Sequence, residues 1–463
     1  MKTHLSVFIL GFMLCGHAAA QQAPVADKAL AREILEELVE IPSTQADGTT
    51  RAAQAIATRL FSAGFPREDV QIINSDAKVA NVVARLRGRN PRAPGILLMA
   101  HLDVVPARRE DWSVDPWKFL ERDGWFYGRG SGDNKAGAAM LIANVITMKR
   151  AGRQPARDLI IVLTGDEETA QQGIQTLVTK HRELLNADLA FNTDGGGVTL
   201  KNGRPAVFEV QASEKIYADY QLEATDVGGH SSLVRPDNPI YTLAVALTRI
   251  GEHQFPLHVS GVTQMFLERS ASTESGQTAI DMRAVAAVPP DLAAAARLSR
   301  SPFYNAQLRT TCVATTVTAG HANNALPQLA RAVVNCRILP GLPGADVEAV
   351  IRRLAGEKVK VTVIEPPIAS PPSTLTPAIL SRLEPLVAKH WPSIPLIPLM
   401  QAGATDGMYT RSAGIPTYGV SAIEANPDDV RAHGKDERVG VESFYNAAQF
   451  WLELMRTFGD DAN

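Results

Sequence analysis

Five short segments carry side chains suited to metal or hydrolytic chemistry. His101 and Asp103 lie in HLDVVP, Asp133 in YGRGSGDNK, Glu167 and Glu168 in LTGDEE, Asp194 in FNTDGGG and His433 in RAHGKDE. Histidine is the commonest metal-binding side chain, and an acid two residues on can orient its ring. Three consecutive acids at 166–168 repel one another unless water or cations neutralise them. Each segment also has a plain alternative: a structural histidine, Asp133 as a helix N-cap, a solvated acidic loop. Taken together, two histidines and three carboxylates fit a pair of divalent ions of the zinc type, with one carboxylate shared. A glutamate left over beside a ligand glutamate is what metal-assisted hydrolysis needs as a proton acceptor. Other chemistries lack their residues, for there is no CxxC, phosphate-binding glycine motif, GxSxG or HExxH.

Several of these residues follow apolar runs. The run 95–100 ends at His101, 158–164 leads into the three acids, and 187–192 precedes Asp194. Helical spacing covers 27–39, 51–63 and 135–148. Buried strands alternating with helices predict an α/β fold with a mostly parallel central sheet, whose strand ends are the place for ligands. After about residue 210 the pattern changes. Strand-like runs at 216–224, 310–318, 330–338 and 358–364, with helices at 238–250 and 345–354, give a β-α-β-β-α-β order. The expected organisation is a catalytic domain over 21–211 and 369–463, interrupted by a smaller α+β domain over 212–368. An Ala-rich helical insertion, about 252–306, falls within the smaller domain.

Lys and Arg number 46 against 49 Asp and Glu among 463 residues, a net charge of −3, which argues against nucleic-acid binding. The first 20 residues read as a cleavable signal peptide: Lys2, an apolar run over 5–16, then Ala18-Ala19-Ala20, with cleavage after about Ala20. The mature chain is then periplasmic or secreted, with no membrane association. Cys15 leaves with the signal. Cys312 and Cys336 either pair in the oxidising compartment or remain buried thiols; spacing alone leaves both open.

The stretches HLDVVP, WSVDPWKFLERDGWFYGRGSGDNKAG, GDEE, NTDGGG, GGHSS, NNALP, GATDG and RAHGKDE run in order along the chain. In this combination the chain resembles the co-catalytic zinc exopeptidase and deacylase family of aminoacylase, acetylornithine deacetylase, succinyl-diaminopimelate desuccinylase, glutamate carboxypeptidase and carnosine dipeptidase. The resemblance implies two zinc ions per subunit, although cobalt or manganese ligation would look the same. His101 and Asp194 would hold one and Glu168 and His433 the other. Asp133 would bridge them, with a cis peptide following it. Asp103 would orient His101, and Glu167 would be the general base for an activated water. The smaller domain would be a lid that carries a homodimer contact. His230 in GGHSS would reach the neighbouring active site and stabilise the oxyanion. Asn324 and Arg337 would contact substrate from the lid, Arg337 being suited to a carboxylate, while Gly403, Thr405 and Asp406 would lie beside the site. The activity implied is an exported zinc exopeptidase that releases a C-terminal amino acid from dipeptides or short peptides. The alternative on the same site is an aminoacylase-type deacylase of N-acyl amino acids. A non-catalytic peptide-binding protein is the alternative of another class; the complete ligand set and Glu167 argue against it.

Overall fold

The computed structural model describes residues 25–460; the N-terminal run read as an export signal lies outside them. The strands Gly95–His101 and Leu159–Thr164 are buried along their whole length. Strands without a polar side must be covered on both faces, and alternate residues here enter two different cores. Ile96, Leu98, Ile161 and Leu163 face the helices Lys28–Glu40, Thr50–Ser62, Lys135–Arg150 and Val441–Gly459. Leu97, Met99, Ile160 and Val162 face Ile174 and Leu177 of the helix Gln172–Lys180, and Met408 of the helix Gly407–Ser412.

These strands belong to a ten-stranded sheet. Leu159–Thr164, Gly95–His101, Ala187–Asn192 and Thr417–Gly419 form its parallel centre in that order. Antiparallel strands lie outward, Ala80–Leu86 and Val70–Asn74 on one side, Arg204–Glu214 and Gly197–Lys201 on the other. His101 pairs with Thr164 and Met99 with Asn192. The segments that leave these three strands therefore emerge along one edge.

A separate antiparallel sheet runs Thr311–Ala319, Leu329–Ile338, Ile216–Thr225, Lys360–Glu365. Helices Pro239–Glu252 and Gly344–Ala355 cover one face, over Tyr220, Leu222, Val334 and Ile338. The strand Ile216–Thr225 alternates buried and half-buried residues, as one covered face requires. Cys312 and Cys336 are cross-strand neighbours joined by a disulfide with an S–S distance of 1.99 Å.

The helical insertion departs from expectation. Its helices Gly261–Ser270, Gly276–Ala286, Leu292–Leu298 and Pro302–Leu308 do not share the smaller sheet's core. Phe266, Leu267 and Leu308 pack instead with Ile397, Leu399 and Val207, at the edge of the large sheet. There the strand Leu396–Gln401 pairs with Arg204–Glu214 and needs an apolar cover. The chain accordingly passes between the two bodies four times: near 215, after 252, near 310 and after 365.

Candidate metal centre

His101 is the last residue of its strand, and the 165–168 turn and Asp194 emerge beside it because the three strands run parallel. Asp133 ends the glycine-rich loop that follows the strand Trp125–Tyr127. That strand also pairs with Arg438–Gly440, which brings the loop of His433 alongside. His101 Nε2 lies 3.0 Å from Asp133 Oδ1, and His433 Nε2 lies 3.2 Å from Asp133 Oδ2 and 2.9 Å from Glu168 Oε1. Ligand atoms of His101, Asp133 and Asp194 lie within 4.8 Å of one another, and so do those of Asp133, Glu168 and His433. Two donor sets sharing one aspartate suit two cations, and imidazole with carboxylate is zinc-type ligation.

The charges support the same fit. Burial pushes Asp194 up to about 7, helped by Asp133, and raises Glu167 well above the usual carboxylate range, helped by Asp194. Burial also works against Asp133, but His101 and His433 outweigh it and hold that carboxyl well below its usual range. His433 is pushed up to about 9, chiefly by Asp133. Buried carboxylates that stay charged only where two imidazoles hold protons beside them form a site short of positive charge, which divalent cations supply.

Asp133 is not a helix cap. Asn134 occupies the N-cap of Lys135–Arg150, and the Asp133–Asn134 peptide is cis. Asn134 Oδ1 accepts a hydrogen bond from the Thr193 hydroxyl at 2.6 Å, which ties the Asp133 and Asp194 segments together. Gly137 allows this closeness, since a Cβ there would meet Thr193 Oγ1 at 2.1 Å. Asp103 acts differently from expectation. Its backbone carbonyl, 3.0 Å away, accepts from His101 Nδ1, while its carboxylate lies 3.6 Å off and accepts instead from the amides of Glu167 and Glu168 at 3.0 and 2.9 Å. The aspartate thus sets the acidic turn as well as the imidazole. Asp166 is buried and accepts from the amides of Gln172 and Gly173, at the start of the helix Gln172–Lys180, both at 2.7 Å.

Sequence reasoning assigned no role to Glu437. It is buried, pairs with Arg129, and accepts from the amides of Gly130, Gly132 and Asp133 at 3.1, 2.8 and 2.9 Å. Arg129 in turn donates to the Gly434 carbonyl at 3.0 Å. One ion pair therefore braces both the Asp133 loop and the His433 loop. The only prior signal was its place in RAHGKDE.

Arg337 faces a cleft of about 800 Å³ also lined by Glu167, Glu168, Gln171, Tyr217 and Tyr409. Among the described residues it has no carboxylate within ion-pair distance; its Nη1 approaches the Ala402 carbonyl at 3.5 Å. Ala404 of the GATDG loop and Met408 of the helix that follows it line this cleft. Gly403 is exposed nearby. Thr405 and Asp406 are buried, and neither lines the cleft. Thr405 donates to Glu214 Oε2 at 3.0 Å, and Asp406 accepts from the Thr164 hydroxyl. His230 and Asn324 meet on a small ribbon, where Gly229–His230 pairs with Ala325–Leu326 and the Ser231 amide donates to the Asn324 carbonyl. Both are exposed, and neither lines the cleft of its own chain.

Residues 97–457 match the family model described as peptidase family M20/M25/M40. Mouse N-fatty-acyl-amino acid synthase/hydrolase PM20D1 is 26% identical over 441 residues, covering 92% of this chain and 87% of that protein. Mouse aminoacylase-1 is 26% identical over 375 residues, 80% of this chain and 81% of its own. The structure of the M20 family metallo-carboxypeptidase Sso-CP2 from Sulfolobus solfataricus superposes with a TM-score of 0.68 at 17% identity, covering 93% of this chain and 99% of the other. With the family model spanning most of its length, this chain belongs to peptidase family M20/M25/M40 and is a metallohydrolase of amide bonds.

Proposed function

We propose that the chain is an exported exopeptidase that holds two zinc ions and releases the C-terminal amino acid from dipeptides and short peptides. The observation that carries this reading is the shared cleft: Glu167 and Arg337 face one space, and among the described residues no carboxylate lies within ion-pair distance of Arg337. An open guanidinium fork suits a substrate carboxylate, and its distance from the scissile amide is short when that carboxylate is terminal. His101 and Asp194 would hold one ion, Glu168 and His433 the other, and Asp133 both. When bound, such ions polarise a carbonyl and lower the pKa of water. The chain's own groups do the rest. The Asp103 carbonyl engages His101 Nδ1 and leaves Nε2 for an ion. Gln171 donates to Glu167 Oε1 at 3.1 Å and fixes the carboxylate that takes the proton and returns it to the leaving amine. Glu167→Gln is expected to lower kcat by about 10²–10⁴ with metal content unchanged by plasma mass spectrometry. Full turnover in that variant would remove Glu167 from the role.

A second reading, hydrolysis of N-acyl amino acids, is favoured by the likeness to mouse PM20D1 and aminoacylase-1. Both substrate classes present a free carboxylate beyond the amide. A side-by-side assay of dipeptides, N-acetyl and N-fatty-acyl amino acids separates them by kcat/KM.

Export is supported by the N-terminal apolar run and by the Cys312–Cys336 disulfide, a bond that persists in oxidising compartments. A homodimer through the smaller domain is supported by its edge strand Thr311–Ala319, where Val313 and Val317 are 60% and 63% exposed. The oxyanion role of His230 belongs to that dimer.

A further inference from the structure

Arg337 shares one face of the smaller sheet with an acid that has not captured it. On the smaller sheet Tyr217 stands directly opposite Arg337, and Asp219 directly opposite Asn335. Residues two apart share a face, so these four side chains form one block on the side away from the covering helices. The Arg337 guanidinium lies over the Tyr217 ring, 4.6 Å from its centroid. Asp219 is its diagonal neighbour, a separation that long side chains span, and Glu365 lies one strand further out. A half-exposed pair of this kind ordinarily closes into a salt bridge. Here each oxygen of Asp219 already accepts a hydrogen bond from a neighbour on this face. The Tyr217 hydroxyl donates to Oδ2 at 2.6 Å, and Asn335 Nδ2 donates to Oδ1 at 2.7 Å. The phenol keeps its proton, since burial and Asp219 push Tyr217 up to about 12.

We infer that Tyr217 is a positioning residue that keeps Arg337 open to a substrate carboxylate: its ring carries the guanidinium, and its hydroxyl, with Asn335, occupies the acid that would otherwise close onto it. The inference rests on the reading of Arg337 as the carboxylate's receptor. The phenol hydroxyl is then a specificity device that touches no reacting atom.

The test uses the full metal-loaded chain and three variants, Arg337→Met, Tyr217→Phe and the double variant Tyr217→Phe/Asp219→Asn. Tyr217→Phe keeps the ring, so the sheet stays packed. KM and kcat are read with alanyl-leucine and N-acetyl-leucine, and calorimetry with free leucine gives binding without turnover. Arg337→Met should raise KM. Tyr217→Phe should raise KM and the leucine Kd about tenfold, the scale of a hydrogen bond to a charged group, with kcat nearly unchanged. The double variant should recover most of that loss, because a neutral amide in place of the Asp219 carboxylate no longer attracts the guanidinium. A KM raised by Arg337→Met but not by Tyr217→Phe, or a loss that the second substitution does not recover, overturns the inference and leaves the receptor reading standing. An unchanged KM and unchanged leucine binding in Arg337→Met overturns both.

Discussion

Asp133 gives one oxygen to each of two imidazoles, His101 Nε2 at Oδ1 and His433 Nε2 at Oδ2. Only a carboxylate offers two equivalent anionic oxygens; an amide offers one acceptor and a donor that would point at a ligand nitrogen. Asp133→Asn should therefore empty both halves of the site, lowering metal content measured by plasma mass spectrometry from the proposed two ions per chain to well under one. Retention of a full single ion would show that the two donor sets bind independently. Glu167 stands apart from this set. Its carboxylate accepts from Gln171 and appears in neither donor group, as a residue reserved for proton transfer would.

The elements that present these residues differ in how plainly the sequence announced them. GILLMAH and LIIVLT are apolar throughout because both faces of a central parallel strand are covered, so the strand and the exit points of His101 and the acidic turn were readable directly. Asp194 was placed the same way, by the run 187–192 before it, whereas Asp133 follows no such run and its bridging role came from motif resemblance. Glu437 was not readable, for its partner Arg129 lies 308 residues away and a pairing at that separation leaves no local pattern. The fate of the helices at 261–308 was half readable. Their spacing declares that an apolar face will be covered but not by what, and Ile397 and Leu399 come much later in the chain. Because Glu437 and Arg129 are both fully buried, Glu437→Gln should leave an uncompensated guanidinium and cost about 3 kcal/mol of stability in denaturant unfolding. Apparent metal affinity should fall with it, since the loops of Asp133 and His433 lose their common brace.

For the whole molecule, the disulfide and the chain path matter most. Cys312 and Cys336 are 24 residues apart, and closing a loop of that length stabilises by about 3 kcal/mol in the chain-entropy picture. The pairing was open from sequence because spacing does not give a Cα separation, whereas cross-strand register does. The double variant Cys312→Ser/Cys336→Ser should lower the unfolding free energy by about that amount, and the protein produced in a reducing compartment should show the same loss; equal denaturant midpoints would deny the bond a structural role. The helices that leave the smaller sheet to cover the edge of the large one have a practical consequence. The smaller sheet is not a detachable cassette. A deletion of 216–365 as one block would strip the cover from Ile397, Leu399 and Val207. A chimera that exchanges this sheet between family members must move two segments, 216–252 and 311–365, and leave the helices between them where they are.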